Sequence, residues 1–280
     1  MQDNVFNWTR KVSRAGYEIR TVTPVDTKKG SGKPGRYLCE LPGAEREYRP
    51  LDDGSLFYTF AEAHPADEEG ILRLANQYGW LFDHQFALAG EGPWAGEPVK
   101  SWNVEIEFLH SAVELWEAKH LRKWLRFKGA EAIYHGPLGF YRISAAETLT
   151  RAATHVLQRY VDEYLKRTCE VRFLWDLGHN SPAVHELPSS LLASLWLELA
   201  FAIQSKRPED FRRCGDCRRR FDTAEEKRQD SKFCSNACRS RNYRKRLKEA
   251  QRLRDKGLSL REIARRLNSD TRTVKGWVIK

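Results

Sequence analysis

Residues 214–238 read CGDCRRRFDTAEEKRQDSKFCSNAC and hold four of the six cysteines of the chain. Two residues separate Cys214 from Cys217, and three separate Cys234 from Cys238. In a cytoplasmic chain, cysteines at such spacings are typical of a metal site rather than of disulfides. Zinc takes four thiolates in a closed tetrahedron, so we expect these side chains to bind one structural Zn²⁺ ion.

The residues around the cysteine pairs predict how the ligands are presented. A two-residue gap favours a tight knuckle, and Gly215 is available for its strained turn. Ser235 or Asn236 would cap a helix whose first turn carries Cys238. A knuckle, a short hairpin and a helix in this order form a treble clef. Two phenylalanines would pack beneath the ion as its small core, Phe221 and Phe233.

This stretch resembles known zinc fingers. The run from Phe233 to Arg239, FCSNACR, is similar to MYND-type fingers. The four-cysteine pattern resembles the treble-clef fingers of bacterial transcription-factor-like proteins, including the CGNR group. Cys238 is followed by Arg-Ser-Arg, where that group has Gly-Asn-Arg. The resemblance implies a structural zinc finger in a transcription-factor-like protein.

A basic helix is predicted directly after the last cysteine. Residues 239–256 contain no Pro or Gly, and Gly257 is a typical C-terminal cap. Apolar residues recur at the spacing of a buried helical stripe: Tyr243, Leu247, Ala250 and Leu253. The remaining faces of this helix carry many Arg and Lys residues. Because this helix could continue from the finger into the next motif, the two modules would be rigidly phased.

Two short helices with well-marked ends follow. Ser259 and Glu262 form a capping box, which predicts a helix from Leu260 that ends near Asn268. Asp270 would cap a second helix that packs against the first. Two short helices joined by a turn of three to four residues form a helix-turn-helix. The inward side chains would be Leu260, Ile263, Ala264, Leu267, Val274, Trp277 and Val278.

Residues 257–267, GLSLREIARRL, followed by Thr273 and Val274, closely resemble the DNA-binding helix-turn-helix at the C-terminus of resolvase and invertase recombinases. The resemblance implies duplex DNA as a partner and imports no recombination chemistry. In the general docking geometry the second helix enters the major groove. We therefore expect base contacts from Thr271, Arg272 and Lys275, with Arg272 reading guanine. We expect phosphate contacts from Arg241, Arg244, Lys245, Arg261, Arg265 and Arg266.

The first 205 residues carry mainly helical patterns with a small β portion. The patterns predict a pair of strands at 17–22 and 36–41, a strand at 171–175, and helices at 67–78, 99–127, 147–168 and 189–204. On one face of the helix at 99–127, we expect core side chains at Trp102, Ile106, Leu109, Val113, Trp116 and Trp124. The run at 72–81, LRLANQYGWL, is similar in layout to helical N-terminal regions of uncharacterised bacterial proteins related to the CGNR group. That resemblance implies a ligand-sensing role.

Charge is distributed unevenly along the 280 residues. Residues 205–280 contain 25 Lys and Arg against 11 Asp and Glu, whereas residues 1–204 contain 23 against 27. A basic segment attached to a slightly acidic one predicts a polyanionic partner. We expect a mainly α chain in three parts: a helical domain at 1–205 that is a candidate sensor of a small-molecule ligand, a zinc finger at 206–240, and a basic helix with the helix-turn-helix at 241–280.

These patterns favour a cytoplasmic bacterial transcriptional regulator that reads duplex DNA. The sequence has no H-E-x-x-H, G-x-S-x-G or dinucleotide glycine motif, so we expect no catalytic residues and no enzyme. The apolar run at 191–203 is shorter than the roughly 20 residues that span a bilayer, and the first eight residues show no secretory signal. No membrane partner is expected. A single helix-turn-helix reads few bases, which favours a homodimer.

Several alternatives stay open. The first domain could be an enzyme or toxin that acts on nucleic acid and is delivered by the C-terminal module. The chain could also be a protein-interaction adaptor, with the last two helices used only for packing. Single-stranded RNA is a weaker alternative to duplex DNA, because Tyr243 and Trp277 are expected to be buried.

Overall fold

The computed structural model divides the chain into two compact units, Met1–Pro208 and Glu209–Lys280. Its described residues are 8–23, 25–26, 30–31, 34–52, 54–82, 86–88, 94–128, 131–144, 148–176, 181–223 and 231–278. Within them, no helix combines the length and apolar character needed to cross a membrane.

Short strands and helices alternate in the first unit. The strands are β1 (Arg10–Ser13), β2 (Tyr17–Val22), β3 (Val25–Asp26), β4 (Gly30–Ser31), β5 (Gly35–Glu40), β6 (Glu45–Tyr48), β7 (Phe86–Leu88), β8 (Trp94–Pro98), β9 (Leu125–Lys128), β10 (Glu131–Gly136), β11 (Gly139–Ser144), β12 (Cys169–Asp176) and β13 (Ser181–Pro188). The helices are α1 (Leu56–Ala61), α2 (Glu68–Tyr78), α3 (Val99–Trp116), α4 (Leu121–Trp124), α5 (Leu149–Thr168) and α6 (Leu191–Ser205).

The second unit contains a hairpin and three helices in its described residues. These elements are β14 (Phe211–Arg213), β15 (Arg220–Asp222), α7 (Asn236–Asp255), α8 (Leu260–Arg266) and α9 (Thr271–Val278). Helix α7 crosses the expected boundary between residues 240 and 241.

The strands pair into small antiparallel sheets. The predicted strand pair is confirmed: β2 and β5 pair from Tyr17↔Glu40 to Val22↔Gly35, and β8 and β7 extend this sheet in the order β2-β5-β8-β7. The predicted strand at 171–175 is part of β12, which pairs with β13. Sequence reasoning did not predict β13 or the sheet β11-β10-β9. The described residues therefore contain more strand than the small β portion that the sequence predicts, and the chain is mixed α/β.

The core of the first unit is built around α3. Three of its side chains, Trp102, Ile106 and Leu109, are at most 1% exposed, as the helical stripe predicts. The buried Glu97 carboxylate precedes this helix and accepts a hydrogen bond of 2.7 Å from Trp102 Nε1 and one of 3.0 Å from Leu81 N–H. Burial raises the pKa of Glu97 to about 7, although these donors oppose the shift. Hydrogen bonds to a buried carboxylate thus join α3 to the segment that follows α2.

The predicted helix at 99–127 is wrong beyond Trp116. Ala118 and His120 have φ angles of 53° and 52°, so the backbone turns in the left-handed region and leaves the helix. Only the short α4 follows before β9, which pairs with β10. Trp124 therefore lies outside the core stripe and is half-buried. The helical spacing between Trp116 and Trp124 therefore does not reflect one continuous helix.

The other predicted helices of the first unit are confirmed with small shifts of their ends. Asp67 caps α2 by accepting from Gly70 N–H at 2.7 Å, and Gly79 ends it with a φ of 80°. Thr148 and Ser190 cap α5 and α6, so these helices begin two residues later than predicted.

The LRLANQYGWL run lies mostly in α2. Part of the run lines an open hollow on the surface, formed by Arg46, Glu69, Leu72, Arg73, Asn76 and Gln77. Asn76 Oδ1 also accepts from Tyr17 N–H at 2.8 Å, which joins α2 to β2.

Candidate metal centre and nucleic-acid interface

The four cysteines expected to bind zinc lie together in the second unit. The Sγ atoms of Cys214, Cys217, Cys234 and Cys238 all lie within 4.8 Å of one another. The distance is 3.7 Å from Cys217 to Cys234 and 3.5 Å from Cys234 to Cys238. Tetrahedral zinc with bonds of about 2.3 Å places sulfurs about 3.8 Å apart. The cluster therefore has the dimensions of a four-thiolate zinc site.

The turn between β14 and β15 carries the first cysteine pair. The two strands pair antiparallel, from Phe211↔Asp222 to Arg213↔Arg220. The sequence predicted a hairpin after the knuckle, whereas the structure makes the knuckle the turn of the hairpin. Residues 224–230, which precede the second pair, lie outside the described residues.

Gly215 has a different role from the one predicted. The left-handed residue of the knuckle is Arg218, with a φ of 65°. The Gly215 N–H donates to the Lys232 carbonyl at 2.8 Å, and a Cβ at Gly215 would lie 3.3 Å from that oxygen. Glycine is therefore suited to the close approach of the two cysteine-bearing segments. As predicted, Phe221 and Phe233 pack against the cysteines, and Phe221 is 4% exposed.

Hydrogen bonds stabilise negative charge on the sulfurs. The Cys234 N–H donates to Cys214 Sγ at 3.5 Å, and Arg241 Nη2 donates to Cys238 Sγ at 2.9 Å. Burial acts to raise the pKa of Cys214, but backbone N–H donors, first that of Cys234, outweigh it and lower the pKa to about 6. Burial and neighbouring thiols raise the pKa of Cys234. Thiolates this close repel one another, so four of them can be deprotonated together only when a bound cation offsets their charge.

An ion-pair cluster joins the knuckle to α7. The Asp216 carboxylate, whose side chain is 2% exposed, accepts from Lys245 Nζ at 2.7 Å and from Arg241 Nε at 2.8 Å. Hydrogen bonds from Lys245 and Arg241 lower the pKa of Asp216. Both cations were predicted to contact phosphate. In the structure each also has an acidic partner within the finger, and the phosphate contacts stay predictions. Sequence reasoning missed this role because Asp216 lies 25 residues or more from both.

Helix α7 runs without a break from Cys238 to the core that it shares with α8 and α9, as the sequence predicts. Ser235 is the cap: its Oγ accepts from Cys238 N–H at 3.2 Å. The helix runs for 20 residues from Asn236 to Asp255. Gly257, with a φ of 82°, follows its end. One of the four clustered cysteines, Cys238, thus lies in the first turn of the helix whose last turns contact α8.

The predicted ends of α8 and α9 are confirmed. Ser259 and Glu262 form the reciprocal capping box at the start of α8. Asn268 adopts a φ of 45° in the turn after this helix. Asp270 accepts from Thr273 N–H at 2.7 Å and so caps α9.

The last three helices share one apolar core. Its buried side chains come from all three, namely Ala250, Leu253, Ile263, Ala264, Val274 and Trp277. Leu247, Leu258, Leu260, Leu267 and Val278 are partly buried against them. The core thus contains the predicted inward side chains of α8 and α9, together with three residues of the predicted α7 stripe.

Arg246 joins α7 to both other helices. Its Nη2 donates to the Leu267 carbonyl at 2.8 Å, and its guanidinium lies 5.0 Å from the Trp277 ring centroid. Tyr243 contacts the same indole edge-on, with centroids 6.0 Å apart, but is 51% exposed. The prediction of a buried Tyr243 is therefore wrong, because Trp277 covers only one side of its ring.

The residues expected to read bases are exposed on α9. Thr271, Arg272 and Lys275 lie at the first two turns, whereas Val274 and Trp277 face the core. A buried face and an exposed basic face on one short helix are what groove docking requires.

The remaining predicted phosphate contacts are exposed and lie on two helices. Arg261, Arg265 and Arg266 are on α8. Arg244 is on α7, where its Nε donates to the Ser240 carbonyl at 3.3 Å.

Comparison of the chain with protein-family models, curated proteins and solved structures finds no match. The resemblances to CGNR and MYND-type fingers and to the recombinase helix-turn-helix stay predictions.

Proposed function

We propose that the chain binds duplex DNA through α8 and α9 and acts as a transcriptional regulator. The observation that supports this most is the exposed pair Arg272 and Lys275 at the start of α9, directly opposite a core shared with α7 and α8. A helix that is fixed by packing on one face can present its N-terminal side chains to base edges in the major groove. Arg272 would read guanine through O6 and N7.

The exposed arginines around this helix would contact the DNA backbone. These are Arg244, Arg261, Arg265 and Arg266, and contacts of this kind add affinity without sequence information. Arg241 and Lys245 are paired with Asp216 and hold the finger to α7. Their principal role in this proposal is structural.

Zinc would be held by Cys214, Cys217, Cys234 and Cys238. The bound ion would cross-link the knuckle to α7. Four protein ligands leave no open position for a reacting water or substrate. We therefore assign the metal a structural role and place no catalytic residue at this site. The rest of the proposal is a cytoplasmic homodimer whose first unit senses a small molecule.

Replacing Arg272 by alanine should weaken binding to the preferred duplex by about 1 to 3 kcal/mol, or about 5- to 150-fold. Selectivity should relax at one base pair and stay unchanged elsewhere, because a bidentate contact reads one guanine. Titrations against the preferred site and its single-base variants measure both effects.

Arg252→Ala is the matched control for Arg272→Ala. Arg252 is an exposed arginine of α7, not of α9, and it pairs with Glu249 at 2.5 Å. The control should keep the base preference. An Arg272→Ala protein with the same preference at every position would refute the base-reading role.

Replacing Arg244 by alanine should weaken binding equally on all duplex sequences. Loss of one phosphate contact should reduce the slope of log K against log salt by about 0.9. Affinities measured over a series of salt concentrations give this slope. Arg244→Lys keeps the charge and should keep the slope, and a loss confined to one sequence in the alanine variant would contradict a phosphate contact.

A further inference from the structure

The sheet β9-β10-β11 has one face directed to the core and one directed to solvent. On the core-directed face, Leu125, Ala132 and Tyr134 are at most 2% exposed. Tyr141 is paired with Tyr134 in register and lies under Arg159 of α5, at 5.7 Å. Successive side chains of a strand point to opposite faces, so the alternate residues lie on the other side of the sheet. We call this side the outer face; it includes Arg126, Lys128, Glu131, Ile133, His135, Phe140 and Arg142.

The outer face combines exposed aromatic and basic side chains. Phe140 of β11 is 57% exposed and lies edge-on to His135 of β10, with centroids 6.2 Å apart. The Arg142 guanidinium lies 5.8 Å from the Phe140 ring centroid. In the next row, Ile133 pairs with Arg142 on one side and Arg126 on the other. An exposed ring thus lies beside a row that has one cation on each of the two outer strands, Arg126 on β9 and Arg142 on β11, with Ile133 between them.

This face is basic within a part of the chain that is otherwise acidic. Residues 119–142 contain six Lys and Arg and a single acidic residue, Glu131. The rest of residues 1–204 contains 17 Lys and Arg against 26 Asp and Glu. Arg126, Lys128 and Arg142 are exposed. The positive charge is therefore concentrated around one sheet, which matches a polyanionic partner.

We propose that the outer face binds single-stranded nucleic acid. An unpaired base can stack on Phe140, while Arg126, Lys128 and Arg142 neutralise the neighbouring phosphates. A duplex fits this face less well, because its bases are already stacked on one another and cannot reach a ring on a flat sheet. This surface belongs to the first unit, whereas α8 and α9 belong to the second, and it extends the proposed function to a second nucleic-acid site.

The test uses the full-length protein and a dT oligonucleotide of about 12 nucleotides, within the span of known single-strand sites. Phe140→Ala should weaken binding by about 5- to 150-fold, because it removes one base-stacking contact. Phe140→Trp should retain binding. Phe201→Ala is the matched control: Phe201 is also exposed, at 37%, but lies on α6. It should leave the affinity unchanged.

A second readout locates the oligonucleotide. An oligonucleotide carrying 5-iodouracil should cross-link to β10 or β11, as mapped by mass spectrometry. Arg142→Gln should reduce the salt slope for the single strand by about 0.7. Both variants should keep the affinity for duplex DNA, so failure of this proposal is distinguishable from failure of the proposed duplex binding.

Two results would overturn the proposal. One is cross-linking confined to residues 209–280 together with unchanged affinity of the Phe140→Ala and Arg142→Gln proteins for the single strand. The other is an equal loss of duplex and single-strand binding in Phe140→Ala, which would make the face a general contact rather than a site for unpaired bases.

Discussion

Full-length protein with Cys214→Ser should contain less than one zinc per chain, and its finger should unfold. Structural zinc contributes about 10 to 16 kcal/mol of apparent binding free energy in zinc-finger peptides, and this energy is available only to the folded site. The finger core is small, with Phe221 as its main buried apolar side chain besides the cysteines in the described residues. Loss of one ligand should therefore exceed what that core can compensate.

The unfolding should be local. The core of the last three helices contains no cysteine and is separate from the finger core. Amide hydrogen exchange should increase in β14, β15 and the first turns of α7, while α8 and α9 remain protected. Metal analysis and exchange measured by mass spectrometry follow both parts of this result.

Cys169→Ser is the matched control for Cys214→Ser. Cys169 is partly exposed at the start of β12 in the first unit. The control should keep one zinc per chain. A Cys214→Ser protein with full metal content and unchanged exchange in β14 and β15 would refute the ligand assignment.

Trp277→Ala should destabilise the three-helix core by about 3 to 5 kcal/mol. Trp277 is 4% exposed and contacts Arg246 and Tyr243 of α7 as well as the apolar core. That loss is a large part of the 5 to 15 kcal/mol that stabilises a typical domain. Exchange of α8 and α9 amides should rise by two to three orders of magnitude or more, and sequence-specific duplex binding should be lost.

Trp277→Phe keeps an aromatic ring at the same position and is the control. It should retain most of the protection and the duplex affinity. If Trp277→Ala left exchange in α8 and α9 at the level of the parent protein, the packing described for these helices would be wrong.

Local signals were sufficient to predict where α8 begins and where the turn before α9 lies. The capping bonds of Ser259, Glu262 and Asp270 each reach a backbone group three residues away. The left-handed φ of Asn268 is a preference of that residue type alone. Such short-range hydrogen bonds are encoded in the sequence itself. The clustering of the four cysteines was predicted differently: the two pairs lie 17 residues apart at Cys217 and Cys234, and the spacing within each pair is typical of zinc ligands.

Long-range contacts were the part that the sequence did not disclose. The bond from Arg246 to the Leu267 carbonyl and the ion pairs of Asp216 span 21 or more residues and exist only in the folded unit. Likewise, the helix predicted at 99–127 is wrong beyond Trp116, since residues 125–128 form β9 and pair with β10. Strand pairing is not visible in a helical period. The exposed side of Tyr243 also depends on where α9 lies.

The central claim is that the chain reads duplex DNA in a sequence-specific manner through α9. The most direct test is selection of fragmented bacterial genomic DNA by the full-length protein at about 150 mM salt, since specificity depends on ionic strength. We expect enrichment of a common site, with the preference relaxed at one base pair in Arg272→Ala and unchanged in Arg252→Ala. Salt-sensitive binding without any enriched sequence would contradict this claim.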